Sequence, residues 1–400
     1  MRGTPVLPSL DLDPFDPEVL RDPLAAHAEL RDAGPLVELP RYDTYAIARY
    51  AEVRAALTNW QDFESAAGVG LTNFRTETPW RPPSLLLEAD PPGHDAPRTV
   101  LAKILGPRAL RRLRADWAAD ADRLVDDLLA GGSVEVDAVP ALAAAFPLRV
   151  FPDAVGMGPD GREHLLPYGD HAFNAFGPTD NPLVLAGNAA MPEHAGWVGQ
   201  QCLRENLAPV GFGADIWAAA DRGDLTHDQA PLVVRSLLTA GVDTTVHGIG
   251  AVLHALAVTP GAWDRLRADP SLVRSVFDEA VRWESPVQAF FRTTVRDVAV
   301  GEAVVPAGAK VLVFFAAANR DPRRWDEPDR FDLDRDPSGH VGFGMGIHQC
   351  VGQHVARLEA ESLLTALLAR VRSLELTAPP VRHLNNTLRA WESLPLRLTV

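Results

Sequence analysis

The sharpest chemical signal in the chain is a cysteine set among glycines, Phe343-Gly-Met-Gly-Ile-His-Gln-Cys350-Val-Gly352, running straight into an apolar stretch. Gly344, Gly346 and Gly352 imply a backbone that turns tightly and comes close to a bound group. A thiolate needs positive potential and N–H donors. A glycine-rich turn that opens a helix offers both, through exposed amides and the positive end of the dipole. Phe343 can shield the sulfur from water, and His348 stands two residues before it. The loop therefore reads as a thiolate site. The other cysteine, Cys202 in Gln-Gln-Cys-Leu-Arg, has no such context and reads as an ordinary buried residue.

Other polar residues stand where apolar ones would be cheaper. Asp243 and Thr244, in Ala240-Gly-Val-Asp243-Thr244-Thr245, interrupt a helical pattern flanked by Leu237, Leu238, Ile249 and Val252. They read as a deliberate polar break in a buried helix rather than a solvated face. Glu279-Ala-Val-Arg282 puts an acid and a base on one helical face, where they pair without help. His94-Asp-Ala-Pro-Arg98 sets an imidazole and a guanidinium four apart, a pair suited to a carboxylate. Pro97 between them deletes a helical N–H and can kink the helix. Arg235-Ser236 lies in Leu232-Val-Val-Arg-Ser-Leu-Leu-Thr239, and an arginine in an apolar helix needs a partner. Ser236, Ala240 and Thr244 step by four and share a face, with Ser236 about 12 Å from Thr244 along the axis. In Trp80-Arg81-Pro-Pro-Ser84 the prolines stiffen a loop whose Arg81 and Ser84 can clamp an anion.

The elements that must position these groups are mainly helical, with small sheets. Apolar residues three and four apart mark a helix over 108–129, stopped by Gly131-Gly132. A second runs over about 228–258 with Thr226 or Asp228 as its cap, and others cover 270–284 and 351–370. Short strands are expected at Val37–Leu39, at 45–48, within 298–315 and from 373 onward. No repeat or Gly/Ser linker divides the chain, so 1–400 reads as a single domain. Hydrophobic content of 46% suffices for a large core, and a formal net charge of −15 argues against nucleic acid and anionic lipid as partners. No run approaches eighteen apolar residues, and the start has no apolar leader core. With too few cysteines for a disulfide framework, a soluble protein in a reducing cytoplasm is expected.

Phe-Gly-x-Gly-x-His-x-Cys-x-Gly is the haem-binding signature of the cytochromes P450, and this chain resembles that family in four ordered motifs from His94 to Gly352. The resemblance implies a triangular helical prism enclosing haem b (iron protoporphyrin IX), with Cys350 as the iron ligand and dioxygen as co-substrate. It assigns Thr244 and Asp243 to oxygen activation and proton supply, with Gly241 leaving room for oxygen. His94, Arg98, Arg292 and His348 become partners of the haem propionates, and Phe343, Gly344 and Gly352 complete the cysteine loop. Glu279 and Arg282 become a buried structural pair, with Arg330 of the later meander as the third member. Electrons come from outside, most simply from a [2Fe-2S] ferredoxin and its reductase. Lys103, Arg323, Arg324 and Arg357 are the docking candidates.

A narrower resemblance concerns the substrate. Trp80 to Ser84, Arg162-Glu-His-Leu-Leu-Pro-Tyr through Phe176, Arg235-Ser236, Ser285-Pro-Val-Gln-Ala-Phe-Phe and Asn385-Asn-Thr-Leu-Arg are similar to soluble bacterial members that oxidise para-substituted benzoates. In that group Arg81, Ser84 and Ser236 would hold the carboxylate, with Arg235 and Thr239 nearby. Phe173, Phe176, Val287, Phe290 and Ala240 would line the ring's path. The expected reaction is oxidative O-demethylation of 4-methoxybenzoate or hydroxylation of a relative. Rival readings are a hydroxylase of a terpenoid or macrolide, a peroxide-driven enzyme, or a non-catalytic haem protein that binds gas.

Overall fold

Apolar periodicity decides most of the elements in the computed structural model, which describes residues 7–400. Residues 1–6, the start of the expected domain and of the segment read for a leader, lie outside the described residues. The Pro107–Leu128 helix ends just before Gly131-Gly132, where Gly132 takes a left-handed φ of 91°. It packs along Gln353–Arg370, the helix that follows Cys350, and Val273–Glu284 packs against Gln353–Arg370 in turn. The largest core cluster joins these helices to Asp243–Val258 through residues such as Phe277, Ile249, Leu363 and Trp117.

The helix expected over 228–258 is two helices, Gln229–Ala240 and Asp243–Val258, separated at Gly241-Val242. The hydroxyls explain the break. Thr244 Oγ1 donates to the Ala240 carbonyl at 2.8 Å and Thr245 Oγ1 to the Gly241 carbonyl at 3.2 Å. Side chains thus take acceptors that backbone N–H groups would otherwise use. At the start, Thr226 Oγ1 accepts from Gln229 N while Gln229 Oε1 accepts from Thr226 N, a reciprocal capping box. Residues 229–258 are the one stretch, among the described residues, long and apolar enough to cross a membrane, and 67% of its most apolar window is buried inside the protein.

A five-stranded sheet runs in the order Val37–Leu39, Thr44–Ile47, Lys310–Phe314, Ala289–Thr294 and Phe63–Glu64. Its one parallel pairing joins Thr44–Ile47 to Lys310–Phe314. Smaller sheets pair Val298–Val300 with Ala303–Val305, Val381–Leu384 with Arg389–Ser393, and Pro395–Thr399 with Val134–Asp137 and Ser373–Leu376. Sequence periodicity missed Phe63–Glu64, Val134–Asp137 and Ala289–Thr294. The last is buried along most of its length, so it shows no alternation to read.

Candidate active site

A cavity opens between the Gln229–Ala240 and Asp243–Val258 helices on one side and the cysteine loop on the other. Its wall carries Cys350, Phe343, Gly344 and Gly352 together with Thr244, Ala240, Ser236, Arg98, Arg292 and His348. Distant segments of the sequence thus meet at one site.

The cysteine loop is shaped by two glycines with left-handed backbone, Gly344 (φ 67°) and Gly346 (φ 66°). Any side chain at Gly346 would meet the Leu57 carbonyl. Cys350 N donates to the Phe343 carbonyl at 2.8 Å, which closes the loop. The sulfur opens onto the cavity yet lies deep in the fold. Burial pushes the thiol up, while the backbone N–H groups of Gly352 and Gln353 and the charges of Arg98 and Arg357 favour the thiolate. A bound metal deprotonates such a sulfur outright. Arg357 lies over the Phe343 ring at 4.6 Å.

Whether haem fits can be tested on the polar groups around this end. Arg98 and Arg292 have no carboxylate in ion-pair reach among the described residues, and burial lowers both, Arg292 to about 10. Arg292 donates only to the Phe291 carbonyl, at 2.8 Å. His94 is buried with both ring nitrogens unpaired, edge-on to His348 at 4.9 Å between ring centres. Buried cations without counter-ions are costly, so a group bringing carboxylates to this end satisfies what the chain leaves open. The residues fit haem.

Two details differ from expectation. His348 Nε2 is 3.1 Å from Asp90 Oδ1, so that nitrogen is already engaged, while His94 packs behind His348 rather than on the cavity wall. Pro97 lies in the first turn of the Asp95–Ile104 helix, where its missing N–H would have no helical partner anyway. No kink is needed to place Arg98.

On the opposite wall Thr244 commits its hydroxyl proton to the Ala240 carbonyl and so turns its lone pairs to the cavity. Asp243 is buried with Oδ2 unpaired, and Oδ1 is 3.5 Å from Nε2 of His247, one turn on. Burial first, and then the negative charge of Asp170, push its carboxyl well above the usual carboxylate range, which favours the protonated form. Burial also lowers His247 to about 4. Asp170 itself pairs with His383 at 2.6 Å, and both reach solvent. Gly241 is demanded by packing: a Cβ there would meet the Phe151 ring at 2.5 Å and the Leu237 carbonyl at 2.6 Å.

The far end of the cavity carries Arg81, Ser84, Arg235, Ser236 and Thr239. Arg235 binds backbone, not a carboxylate: Nη2 donates to the Pro82 carbonyl at 2.7 Å, pinning the proline loop. Arg81 pairs with Glu88, whose Oε2 accepts Arg81 Nη1 at 3.0 Å and Ser84 N at 2.7 Å. Two guanidiniums against one carboxylate leave this end with a net charge of about +1. Ser236 and Thr239 donate to carbonyls of their own helix at 3.0 and 2.8 Å. Ser84 Oγ accepts from Leu86 N and Leu87 N and lies 3.3 Å from Ser236 Oγ; with the Ser236 proton on the Leu232 carbonyl, Ser84 is the donor of that long bond. Phe173, Phe176 and Phe290 form an edge-to-face row at 5.9 and 5.6 Å, with Val287 beside them on the wall. Trp80 covers the entrance side, half exposed, with its ring 5.7 Å from His171.

The meander requires a correction. Arg330 is exposed and pairs with Glu327, contributing only its carbonyl to Arg282. The third member is Arg335, whose Nε reaches Glu279 Oε1 at 3.1 Å, while Glu279 and Arg282 pair at 2.7 and 2.8 Å. Sequence reasoning also passed over Glu88, Asp90 and His247. Two of them carried a signal: Glu88 is a charge directly after three leucines, and His247 stands one turn after Asp243 on the same face. Of the proposed docking residues, Arg323 and Arg357 are already paired with Asp321 and Asp278, Arg324 stacks on Trp325, and Lys103 is exposed.

Comparison with known proteins agrees with this site. The family model described as Cytochrome P450 matches residues 215–394. The chain is 54% identical to Cytochrome p450 CYP199A2 of Rhodopseudomonas palustris, over 98% of this chain and 95% of that one. It is 32% identical to Cytochrome P450 monooxygenase PikC of Streptomyces venezuelae, over 98% and 94% respectively. The structure of cytochrome P450 CYP109Q5 from Chondromyces apiculatus superposes with a TM-score of 0.80 at 32% identity, covering 97% of this chain and 98% of that one.

Proposed function

The chain belongs to the cytochrome P450 family, with that family's fold and monooxygenase activity, and on that premise we propose that 1–400 acts as one domain oxidising para-substituted benzoates such as 4-methoxybenzoate. One observation carries the reading. The cavity ends, opposite the cysteine loop, in a patch of net positive charge with a hydroxyl donor, Ser84, held only by a long 3.3 Å bond to Ser236 Oγ. The aromatic row of Phe173, Phe176 and Phe290 lines the same cavity as that patch and Thr244.

Haem b would be held by Cys350, Arg98 and Arg292, and when bound would supply the activation of dioxygen and the insertion of one oxygen atom into a C–H bond. The chain's own groups do the rest. Ser84 donates to the substrate carboxylate while Arg235 and Arg81 supply its counter-charge. The phenylalanine row holds the ring by apolar and edge-to-face contact and keeps water out. The para group is thereby aimed at the reacting centre, where proximity contributes to the rate. With the haem in place, Thr244 would accept a hydrogen bond at the oxygen site and Asp243, whose protonated form burial favours, would supply the proton. For a methoxy substrate, one oxygen atom enters a methyl C–H bond and the other leaves as water, using two electrons and two protons. The resulting hemiacetal breaks to 4-hydroxybenzoate and formaldehyde. A [2Fe-2S] ferredoxin with its reductase supplies the electrons, and Lys103 and Arg324 are the docking candidates without an ion pair among the described residues.

The test is an optical titration of the purified ferric protein with 4-methoxybenzoate, its meta isomer and its neutral amide. The expected result is a low- to high-spin change with the para acid alone. A haem spectrum that none of the three moves would leave the monooxygenase standing and overturn the benzoate reading.

A further inference from the structure

Only two lysines occur in the chain, Lys103 and Lys310. Lys310 opens the Lys310–Phe314 strand, opposite Thr293 of Ala289–Thr294, with its side chain almost wholly buried. Its ammonium donates to three backbone carbonyls of one short turn: Ala67 at 3.1 Å, Gly68 at 2.8 Å and Gly70 at 2.9 Å. No carboxylate lies in ion-pair reach of it among the described residues, so the three carbonyls are its whole coordination. Three donors converging from one tetrahedral nitrogen suit an ammonium and not the flat fork of a guanidinium. That geometry accounts for a lysine in a chain whose cations are otherwise almost all arginine.

The turn so gathered is a wall of the substrate cavity seen from behind. Its start is held by Asp90 Oδ2, which accepts Ser65 N and Ala66 N at 2.8 Å each, and Asp90 is the residue bonded to His348. Its middle, Val69, is fully buried against Phe173, Phe176 and Leu388, and Phe291 N donates to the Val69 carbonyl at 2.8 Å. Its end touches Phe176 directly: Leu71 N donates to the Phe176 carbonyl at 2.8 Å, and a Cβ on Gly70 would stand 2.8 Å from Phe176 Cα. Phe176 is the middle ring of the aromatic row. We propose that Lys310 is a specificity-determining positioning residue, which fixes the 67–70 turn and through it the place of Phe176, and so sets how long a group the cavity accepts.

The proposal rests on this cavity being the substrate pocket but not on the substrate being a benzoate, so it is tested with ligands that need only iron and room. Wild type, Lys310→Met and Lys310→Arg are titrated with N-alkylimidazoles of increasing chain length, read by the shift of the ferric haem spectrum. Burial pushes the ammonium down to about 7, so the titrations are run near pH 6, where it keeps all three donors. Wild type is expected to show a step of about tenfold in affinity at the chain length that first meets Phe176, the scale on which one methylene is discriminated. Both variants are expected to flatten that step to within about threefold, because neither side chain can gather three carbonyls. Hydrogen exchange at Leu71 and Phe291, whose N–H groups bond to Phe176 and Val69, is expected to rise at least tenfold while exchange in the Gln353–Arg370 helix stays unchanged. Should neither variant fold with haem, Gly70→Ala presses on Phe176 from the other side and is expected to move the step to shorter chains. Folded variants that keep the wild-type step, or a Gly70→Ala protein that keeps it, would overturn the proposal. A normal step with no response to any benzoate would sink only the substrate reading.

Discussion

Glu88→Gln gives the most direct check on the electrostatics of the carboxylate end, because it changes charge with little change of shape. Glutamine keeps an oxygen to accept from Ser84 N, so the loop retains its 2.7 Å bond, but the counter-charge of Arg81 disappears. The local net charge then rises from about +1 to about +2. A substrate carboxylate bonded to Ser84 Oγ sits about 6 Å from Glu88, by ordinary hydrogen-bond lengths on either side of one residue. Two unit charges at that distance repel by roughly 3 kcal/mol at an effective dielectric constant of about 20. Rearrangement of the freed Arg81 will absorb part of this. The expected outcome is a gain in affinity for 4-methoxybenzoate of at least about tenfold, or 1.4 kcal/mol. The assay is the spin-state titration, with 4-methoxybenzamide as a control whose affinity should move less than about twofold, since a neutral ligand feels little of a lone charge. Weaker binding of the acid, or an equal gain for acid and amide, would show that Glu88 orders the loop rather than sets its potential. The charge argument would then fail.

Other consequences concern the proton and the scaffold. Asp243→Asn preserves the size of the buried side chain but removes its acidic proton. Turnover with a partner pair that supports the wild type is expected to fall about a hundredfold, with a larger solvent isotope effect and unchanged substrate affinity. An unaltered rate would remove Asp243 from the proton path. Arg335→Met takes away the third partner of buried Glu279 and is expected to cost about 1–3 kcal/mol in urea unfolding followed by the haem band. Arg330→Met is expected to leave the urea midpoint where it was, because that side chain is solvated and pairs only with Glu327. The opposite ranking would restore Arg330 to the role that its place in the meander first suggested.

The contrast between Arg330 and Arg335 shows where sequence reasoning loses its grip. Glu279 and Arg282 could be paired from spacing alone, because a regular helix fixes which residues share a face. Their third partner comes from an irregular segment, where no period phases the side chains, and a shift of five residues changed its identity. The cysteine loop was legible because its information is local: glycines, a cysteine and a helix start within ten residues. The Asp243-Thr244 pair was found as a polar break, but the backbone break beside it was not, since it depends on hydroxyls displacing N–H groups. Thr226 was one of two named caps, and Gln229 settles the choice by completing the box. Glu88 was missed because its meaning is purely tertiary: a carboxylate among leucines is a misfit until Arg81 and Ser84 N are seen on it.

The charge distribution makes the same point at the scale of the molecule. A chain with a net charge of −15 repels anions at long range, yet its central cavity carries uncompensated cations at both ends. Arg98 and Arg292 lie toward the cysteine loop, and Arg81 and Arg235 outweigh Glu88 at the other. Burial lowers the basicity of Arg98, Arg235 and Arg292 alike, so each is held at a cost that folding alone does not recover. On the proposed reading, two separate anionic groups satisfy the cavity. A prosthetic group bearing carboxylates answers the first end, and an aromatic acid short enough to lie between Ser84 and Thr244 answers the second. A neutral terpenoid or macrolide would leave the second end unsatisfied, and that unmet charge is the physical reason for preferring the acid.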